Sequence, residues 1–158
     1  MMGSCLCGAV QYEADEIQFI QLCHCRTCQV AQGAPYIAGG AVKREHFRWL
    51  AGADKLSAYE SSPGKYRRFC AVCGTPLLSD RASLPHIALR VTTLHADPGI
   101  RPAYHIWTEH DCPWTQDHPD LPRPPQWPSE SPLKAPRARP PDDFLHSMKA
   151  RNEPAHPL

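Results

Sequence analysis

Three short cysteine clusters constrain the fold of this chain more than any other feature of its sequence. They read Cys5-Leu6-Cys7-Gly8, Cys23-His24-Cys25-Arg26-Thr27-Cys28 and Cys70-Ala71-Val72-Cys73-Gly74. Zinc requires deprotonated thiolates about 2.3 Å from one ion, and cysteines separated by one to four residues supply two such sulfurs from one tight turn. The glycines after Cys7 and Cys73 allow the chain to curl around an ion. The clusters therefore predict metal binding.

The seven clustered cysteines divide into one set of four and one set of three. The four are Cys5, Cys7, Cys70 and Cys73, and the three are Cys23, Cys25 and Cys28. Four ligands close a tetrahedral zinc site, whereas three leave a position for water or substrate. The division predicts two zinc ions per chain, one structural and one catalytic. The structural ion would join the N-terminus to a turn more than sixty residues downstream.

Three alternatives remain open at this point. The cysteines can pair as disulfides, although a reducing cytosol would oppose this. The set of three can be structural as well, with His24, Cys112 or another histidine as its fourth ligand. Cys25 and Cys28 can form a redox pair, although the βαβ context of thioredoxin-like motifs is missing. Cys112 by itself is interpreted as a bystander thiol.

Charge and hydropathy exclude other classes of protein. The 158 residues carry 17 Lys and Arg against 16 Asp and Glu, so the basic surplus typical of nucleic-acid binding is missing. The apolar stretches are a handful of residues long, well below the roughly 20 that cross a bilayer. The first residues lack the basic and apolar regions of a secretory signal. We therefore expect a cytoplasmic protein without membrane or nucleic-acid partners.

Proline and cysteine placement predicts a folded body, residues 1–121, and a Pro-rich, largely disordered tail, residues 122–158. Seven of the 8 cysteines lie at or before Cys73, and 14 of the 18 prolines lie at or after Pro98. Apolar residues at the tail's end predict one short helix within 142–152. Dense proline removes backbone donors and breaks helices, so the rest of the tail is expected to be extended.

Hydrophobic alternation of period two predicts that the body is all-β or nearly so. Alternating pairs or trios mark three strands, at Val10 and Tyr12, at Ile17 and Phe19, and at Ile87, Leu89 and Val91. Further strands are predicted at 36–42, 47–50, 56–59, 66–69, 76–79 and 105–108. Residues 62–65 predict a hairpin turn. The single helical signal covers 27–32 and ends at Gly33.

The three clusters together resemble the glutathione-dependent formaldehyde-activating enzyme family, which includes the centromere protein V-like proteins. The matching motifs are Cys-x-Cys-Gly, Cys-His-Cys-x-x-Cys and Phe-Cys-x-x-Cys-Gly-Thr-Pro-Leu, in that order. The resemblance continues through Val91-Thr92-Thr93-Leu94 and Pro102-Ala103-Tyr104-His105-Ile106-Trp107-Thr108 to Pro113-Trp114. It spans approximately residues 3–122. The chain departs from the family pattern at two places. An acidic residue often follows the leucine directly, whereas here His95-Ala96 separate Leu94 from Asp97. Gln29 stands where arginine is frequent.

The resemblance implies a small tent of antiparallel β-sheets related to zinc ribbons. It implies a structural zinc on Cys5, Cys7, Cys70 and Cys73 and a catalytic zinc on Cys23, Cys25 and Cys28. The implied activity is that of a carbon–sulfur lyase or synthase that joins the thiol glutathione to the aldehyde formaldehyde as S-(hydroxymethyl)glutathione. The alternative is a non-catalytic binding module in which both zinc ions are structural.

The sequence leaves the remaining groups of such a reaction open. His24, between two ligands, is the nearest candidate proton donor by chain position, and His95 and His105 are further candidates. A hydrogen-bonded, purely structural His24 is an equally good interpretation. Cations for the carboxylates of glutathione can come from any of six residues, namely Arg26, Lys43, Arg44, Arg67, Arg68 and Arg90.

Overall fold

The computed structural model describes residues 1–115 of the chain. This part contains ten strands and one α-helix. The strands are β1 Met2–Ser4, β2 Gln11–Ala14, β3 Phe19–Cys23, β4 Ile37–Lys43, β5 Phe47–Ala51, β6 Leu56–Ser62, β7 Lys65–Cys70, β8 Pro76–Arg81, β9 His86–Arg90 and β10 Pro102–Ile106. The helix, α1, spans Arg26–Gln32. The predicted tail and its short helix, residues 142–152, lie outside the described residues.

The strands form two sheets. A small sheet has the order β1-β2-β5, and a large one has the order β10-β3-β4-β9-β8-β7-β6. Neighbouring strands are antiparallel except β10, which pairs in parallel with β3. The prediction of a mainly β protein is confirmed. The large sheet is mixed because β10 runs parallel to β3 while the sheet's other neighbouring strands are antiparallel.

One hydrophobic core lies between the two sheets. Tyr12 of the small sheet and Val10, which comes just before β2, share a buried cluster with Val42 and Leu89 of the large sheet. The Tyr12 ring stacks on Phe47 with 5.4 Å between centroids. The Tyr12 hydroxyl lies 2.6 Å from the hydroxyl of Thr93, which satisfies its polar group inside the core.

Strand β1 was not predicted, because three residues are too short to show an alternation. Gly3 lies in this strand, and a Cβ atom there would come within 2.2 Å of the Tyr12 ring. The absence of a side chain at this position is therefore what permits β1 to pass over the core tyrosine.

Three other strand boundaries differ from the prediction. The strand predicted at 105–108 ends at Ile106, because Trp107 adopts a left-handed backbone with φ of 61°. Strand β3 begins at Phe19, after Ile17, and β9 ends before Val91, which starts a short 3₁₀ turn. The remaining predicted strands coincide with β2 and β4 to β8 within a few residues.

The predicted helix and hairpin are both present. Helix α1 ends at Gly33, whose left-handed φ of 58° terminates it as glycine commonly does. Strands β6 and β7 form an antiparallel hairpin with Gly64 at φ of 72° in its turn. Within residues 1–115, no helix has the length and apolar character needed to cross a bilayer.

Candidate metal centres

Four cysteine sulfurs from two distant turns converge at one end of the core. We call this group the quartet, and its members are Cys5, Cys7, Cys70 and Cys73. All four sulfur atoms lie within 4.8 Å of one another, with 3.5 Å between Cys5 and Cys7 and 4.0 Å between Cys7 and Cys70. A tetrahedron with metal–sulfur bonds of 2.3 Å has edges of about 3.8 Å, so the quartet is close to the size of a zinc site.

Two similar turns form the quartet. The first follows β1, and its Gly8 amide donates to the Cys5 carbonyl; the second joins β7 to β8, and its Gly74 amide donates to the Cys70 carbonyl. Both glycines have a left-handed φ of 73°, as the sequence pattern predicted for residues that curl past an ion. The matching geometry explains why each Cys-Gly pair projects its sulfur inward.

Thr75 links the two turns of the quartet. Its hydroxyl accepts a hydrogen bond from the Leu6 amide at 3.1 Å, which leaves the hydroxyl proton for the Cys73 sulfur, also at 3.1 Å. Hydrogen bonds from the hydroxyl and the backbone of Thr75 lower the pKa of Cys73 to about 5. The contacts therefore favour a thiolate at this position.

Three further sulfurs meet where β3 leads into α1. We call this group the trio, and it consists of Cys23, Cys25 and Cys28. Cys23 ends β3, and Cys28 lies in the first turn of α1, so a single short bend brings the three sulfurs within 4.8 Å of one another. The side chains of Ile37 and Ile106 pack against the trio. Cys23 and Cys28 are buried, whereas Cys25 is partly exposed and marks the side that faces solvent.

A buried arginine lies behind the trio. Nη2 of Arg67, on β7, is 3.7 Å from the Cys28 sulfur. Hydrogen bonds from the thiols of Cys23 and Cys25, together with the nearby Arg67, lower the pKa of Cys28 to about 2. The trio therefore concentrates negative charge on the sulfur nearest to the arginine.

His24 does not present a free nitrogen to the trio. Its Nδ1 lies 2.6 Å from the Asp111 carboxylate, and its Nε2 lies 2.8 Å from Nδ1 of His105. With Asp111 accepting at Nδ1, a neutral His24 accepts at Nε2 and His105 donates. The Tyr36 ring packs on His24 at 5.1 Å between centroids. The imidazole thus ties β10 and the following turn to the trio.

The other candidate histidine and the candidate cations differ in where they lie and what they contact. The His95 ring forms a hydrogen bond with the Ser4 hydroxyl. Arg44 and Arg68 both pair with Asp80, and Lys43 lies 3.9 Å from Glu45. Only Arg67 and Arg90, of the six cations considered, are almost fully buried. The family departure Gln29 is also buried, and its amide donates to the His110 carbonyl at 2.8 Å.

The structure also bears on the alternatives that the sequence left open. All eight cysteines are free, so no disulfide joins them. Among the described residues, the trio has no fourth cysteine, histidine or carboxylate within reach of all three sulfurs. Cys112 is buried outside both groups.

Sequence reasoning missed Asp111 and Tyr36. Asp111 lies 87 positions from His24 in the chain, and only the parallel β10–β3 pairing brings it there. Thr75 was quoted within the last motif without a role. A hydroxyl two residues after a metal-type cysteine is the signal that could have identified it, because hydrogen-bond partners of metal ligands orient them.

Both clusters fit a thiophilic divalent cation. The donor atoms are all cysteine sulfurs, the spacing of the quartet matches tetrahedral zinc, and both clusters contain sulfurs with a lowered pKa. The fold and the clusters together define a small, mainly β protein with two sulfur sites that can hold metal ions.

Comparison with known proteins narrows this class to one family. The model of the family described as glutathione-dependent formaldehyde-activating enzyme matches residues 1–110. The chain belongs to this family, as the three motifs indicated. No curated protein matches the chain. A crystal structure of a Rhodobacter sphaeroides protein is 26% identical, with a TM-score of 0.54, and the match covers 66% of this chain and 99% of that one.

Proposed function

We propose that the protein is a zinc-dependent carbon–sulfur lyase or synthase acting on thiol–aldehyde adducts. Glutathione and formaldehyde are the substrates that the family name suggests. The observation that carries the proposal is the trio's missing fourth protein ligand among residues 1–115. A site with three ligands offers its fourth position to a substrate, whereas the quartet offers none.

The reaction we propose is addition of a thiol to an aldehyde, or its reverse. The thiol sulfur attacks the carbonyl carbon, the C=O electron pair moves onto oxygen, and the proton lost by the thiol is returned to that oxygen. No oxidant or reductant is needed. Zinc, when bound, would lower the pKa of the incoming thiol, which is otherwise about 8.5 and leaves only a few per cent ionised near neutral pH.

The protein's own residues prepare the site for this chemistry. Cys23, Cys25 and Cys28 would hold the ion, and Cys25 is the partly exposed member through which a substrate would approach. Ile37 and Ile106 exclude water from the inner side of the trio. A dry surrounding strengthens the electrostatic contacts at the reacting sulfur. A cytoplasmic location belongs to the proposal, because the seven thiols must stay reduced.

Metal content and thiol binding test this proposal. Protein purified without added zinc should carry two ions per chain, and Cys25→Ser should carry one with its fold retained. After cobalt replacement, 2-mercaptoethanol should change the absorption spectrum of the wild type and leave that of Cys25→Ser unchanged. A wild-type spectrum that ignores the thiol would mean that both sites are closed, and the chain would then be a non-catalytic binding module.

A further inference from the structure

Two buried guanidinium groups lie on the trio's side of the large sheet. Arg67 on β7 and Arg90 on β9 are 8% and 3% exposed. Residue Ser79 of β8 lies opposite Arg67, and Ala88, two positions before Arg90, lies opposite Ser79. Because alternate residues of a strand share a face, both arginines rise from one face with small residues between them.

Arg90 is a near neighbour of the same cluster. Its burial lowers its pKa to about 10, and the charges of Cys28, Arg67 and Cys23 act on it as well. Arg90 Nη1 donates to the Ala88 carbonyl at 3.1 Å, and Arg67 Nη2 approaches the Cys28 sulfur. One nitrogen of each guanidinium is therefore accounted for.

Three of the other guanidinium nitrogens lack acceptors. In the part of the chain that the structure describes, Arg67 Nε, Arg67 Nη1 and Arg90 Nε are buried without a hydrogen-bond partner. Neither arginine forms an ion pair with a carboxylate of residues 1–115, in contrast to Arg44 and Arg68, which share Asp80. A buried charge without an acceptor is costly, so these donors favour an anionic ligand.

The balance of charges at the trio also favours an anionic ligand. Three cysteinates around one divalent ion sum to a single negative charge, and the two guanidiniums exceed it by one positive charge. The surplus lies on the Cys28 side of the trio, where Arg67 Nη2 is 3.7 Å from the sulfur. Guanidinium N–H groups bond most strongly to the oxygens of a carboxylate or phosphate, which they match in geometry.

We propose that Arg67 and Arg90 form a carboxylate-binding site next to the trio, which makes the protein selective for thiols that carry a carboxylate a few bonds from sulfur. The inference deepens the proposed function and, for thiol selectivity, rests on it. It gives a role to two of the six candidate cations, among which the sequence alone could not choose.

A matched pair of thiols tests the selectivity. Cobalt-substituted protein is titrated with 3-mercaptopropionate and with 3-mercaptopropanamide, which has the same length and no charge. We expect the carboxylate to bind about tenfold more tightly or better, as one lost charge-assisted hydrogen bond costs about that much. In Arg67→Gln and Arg90→Gln, the dissociation constant of 3-mercaptopropionate should rise toward that of 3-mercaptopropanamide. The dissociation constant of the amide should change little. Equal binding of both thiols to the wild type would overturn the proposal.

Arg68→Gln is the matched control, because Arg68 neighbours Arg67 on β7 but points to the opposite face and pairs with Asp80. It should keep the wild-type preference. Metal content and circular dichroism verify that each variant folds. If a glutamine variant does not fold, Arg67→Lys and Arg90→Lys retain the charge and should keep part of the preference; an unreduced preference in both glutamine variants would contradict the assignment.

A second probe separates this site from the proposed function. Acetate at constant ionic strength should raise the melting temperature of the metal-loaded wild type and not that of Arg67→Gln or Arg90→Gln. If neither thiol perturbs the cobalt spectrum but acetate acts through the two arginines, the anion site stands and the proposed lyase function fails. If acetate stabilises the wild type and both variants equally, the anion site is refuted.

Discussion

The quartet and the trio consist of the same residue type but lie in different surroundings. The quartet joins two turns 63 positions apart, counted from Cys7 to Cys70, and its Cys7 is exposed. The Val10 amide donates to the Cys5 sulfur, and the Thr75 hydroxyl bonds the Cys73 sulfur. The trio comes from one bend of the chain and is backed by Arg67. It is also closed on its inner side by two isoleucines.

We propose that the difference separates a cross-link from a reactive centre. An ion in the quartet would close a long loop and so stabilise the folded state, in the way a disulfide does. An ion in the trio would close only a six-residue segment, so little stability depends on it. The trio instead has an accessible side and buried cations, which are the features that a substrate anion would use. Stability and chemistry should therefore be separable by mutation.

The largest effect is expected from Cys70→Ser. Cys70 is fully buried in the core and belongs to the quartet, so its loss removes both a metal ligand and packing. We expect a loss of several kcal/mol of unfolding free energy, enough to abolish cooperative unfolding in a domain of this size. Urea denaturation followed by circular dichroism measures it.

Cys25→Ser provides the comparison for Cys70→Ser, because it removes one sulfur of the trio at a partly exposed position. Its denaturation midpoint should lie near that of the wild type. Similar losses of stability in the two variants would contradict the division into a structural and a reactive site.

An intermediate effect is expected from Thr75→Val, which removes the hydroxyl that bonds the Cys73 sulfur and keeps the shape of the side chain. Loss of such an outer contact commonly lowers metal affinity about 10- to 100-fold. The quartet should release its metal to a chromophoric chelator correspondingly more easily, while the trio is unaffected. Thr75→Ser keeps the hydroxyl and should behave as the wild type; equal weakening of both sites by Thr75→Val would show that the sites are coupled.

The smallest effect is expected from Asp80→Asn, because Asp80 belongs to neither cluster and pairs with Arg44 and Arg68. Burial alone would raise the pKa of Asp80, but hydrogen bonds from Arg44 and Arg68 lower it below its usual value. A carboxyl with a depressed folded-state pKa stabilises the protein above its unfolded pKa of about 3.9, and that stability is lost as the pH falls through the folded value. The difference in unfolding free energy between wild type and variant should therefore be largest near pH 7 and shrink below about pH 4.

Urea titrations of both proteins at matched pH measure this difference, because effects common to the two cancel. Metal content at pH 7 should be unchanged in Asp80→Asn. A difference that grows as the pH falls would contradict the assigned direction of the pKa shift.

Much of the fold could be predicted because its signals are local. Alternating apolar residues marked most strands, Gly33 marked the end of the helix, and the residues around Gly64 marked a hairpin. Strand β1 and the early end of β10 could not be predicted. The first depends on a close approach of Gly3 to Tyr12, and the second on the left-handed backbone of Trp107. Neither feature produces an alternation of apolar residues in the sequence.

The sequence by itself determined the two groups of sulfurs and the family, because ligand spacing within a turn is a property of adjacent residues. It could not rank the six candidate cations or assign the partners of His24. Only the tertiary structure did so, by turning Arg67 and Arg68 to opposite faces of one strand and by pairing β10 with β3. Burial and ion pairing depend on contacts between distant segments, and such contacts exist only once the sheets have assembled.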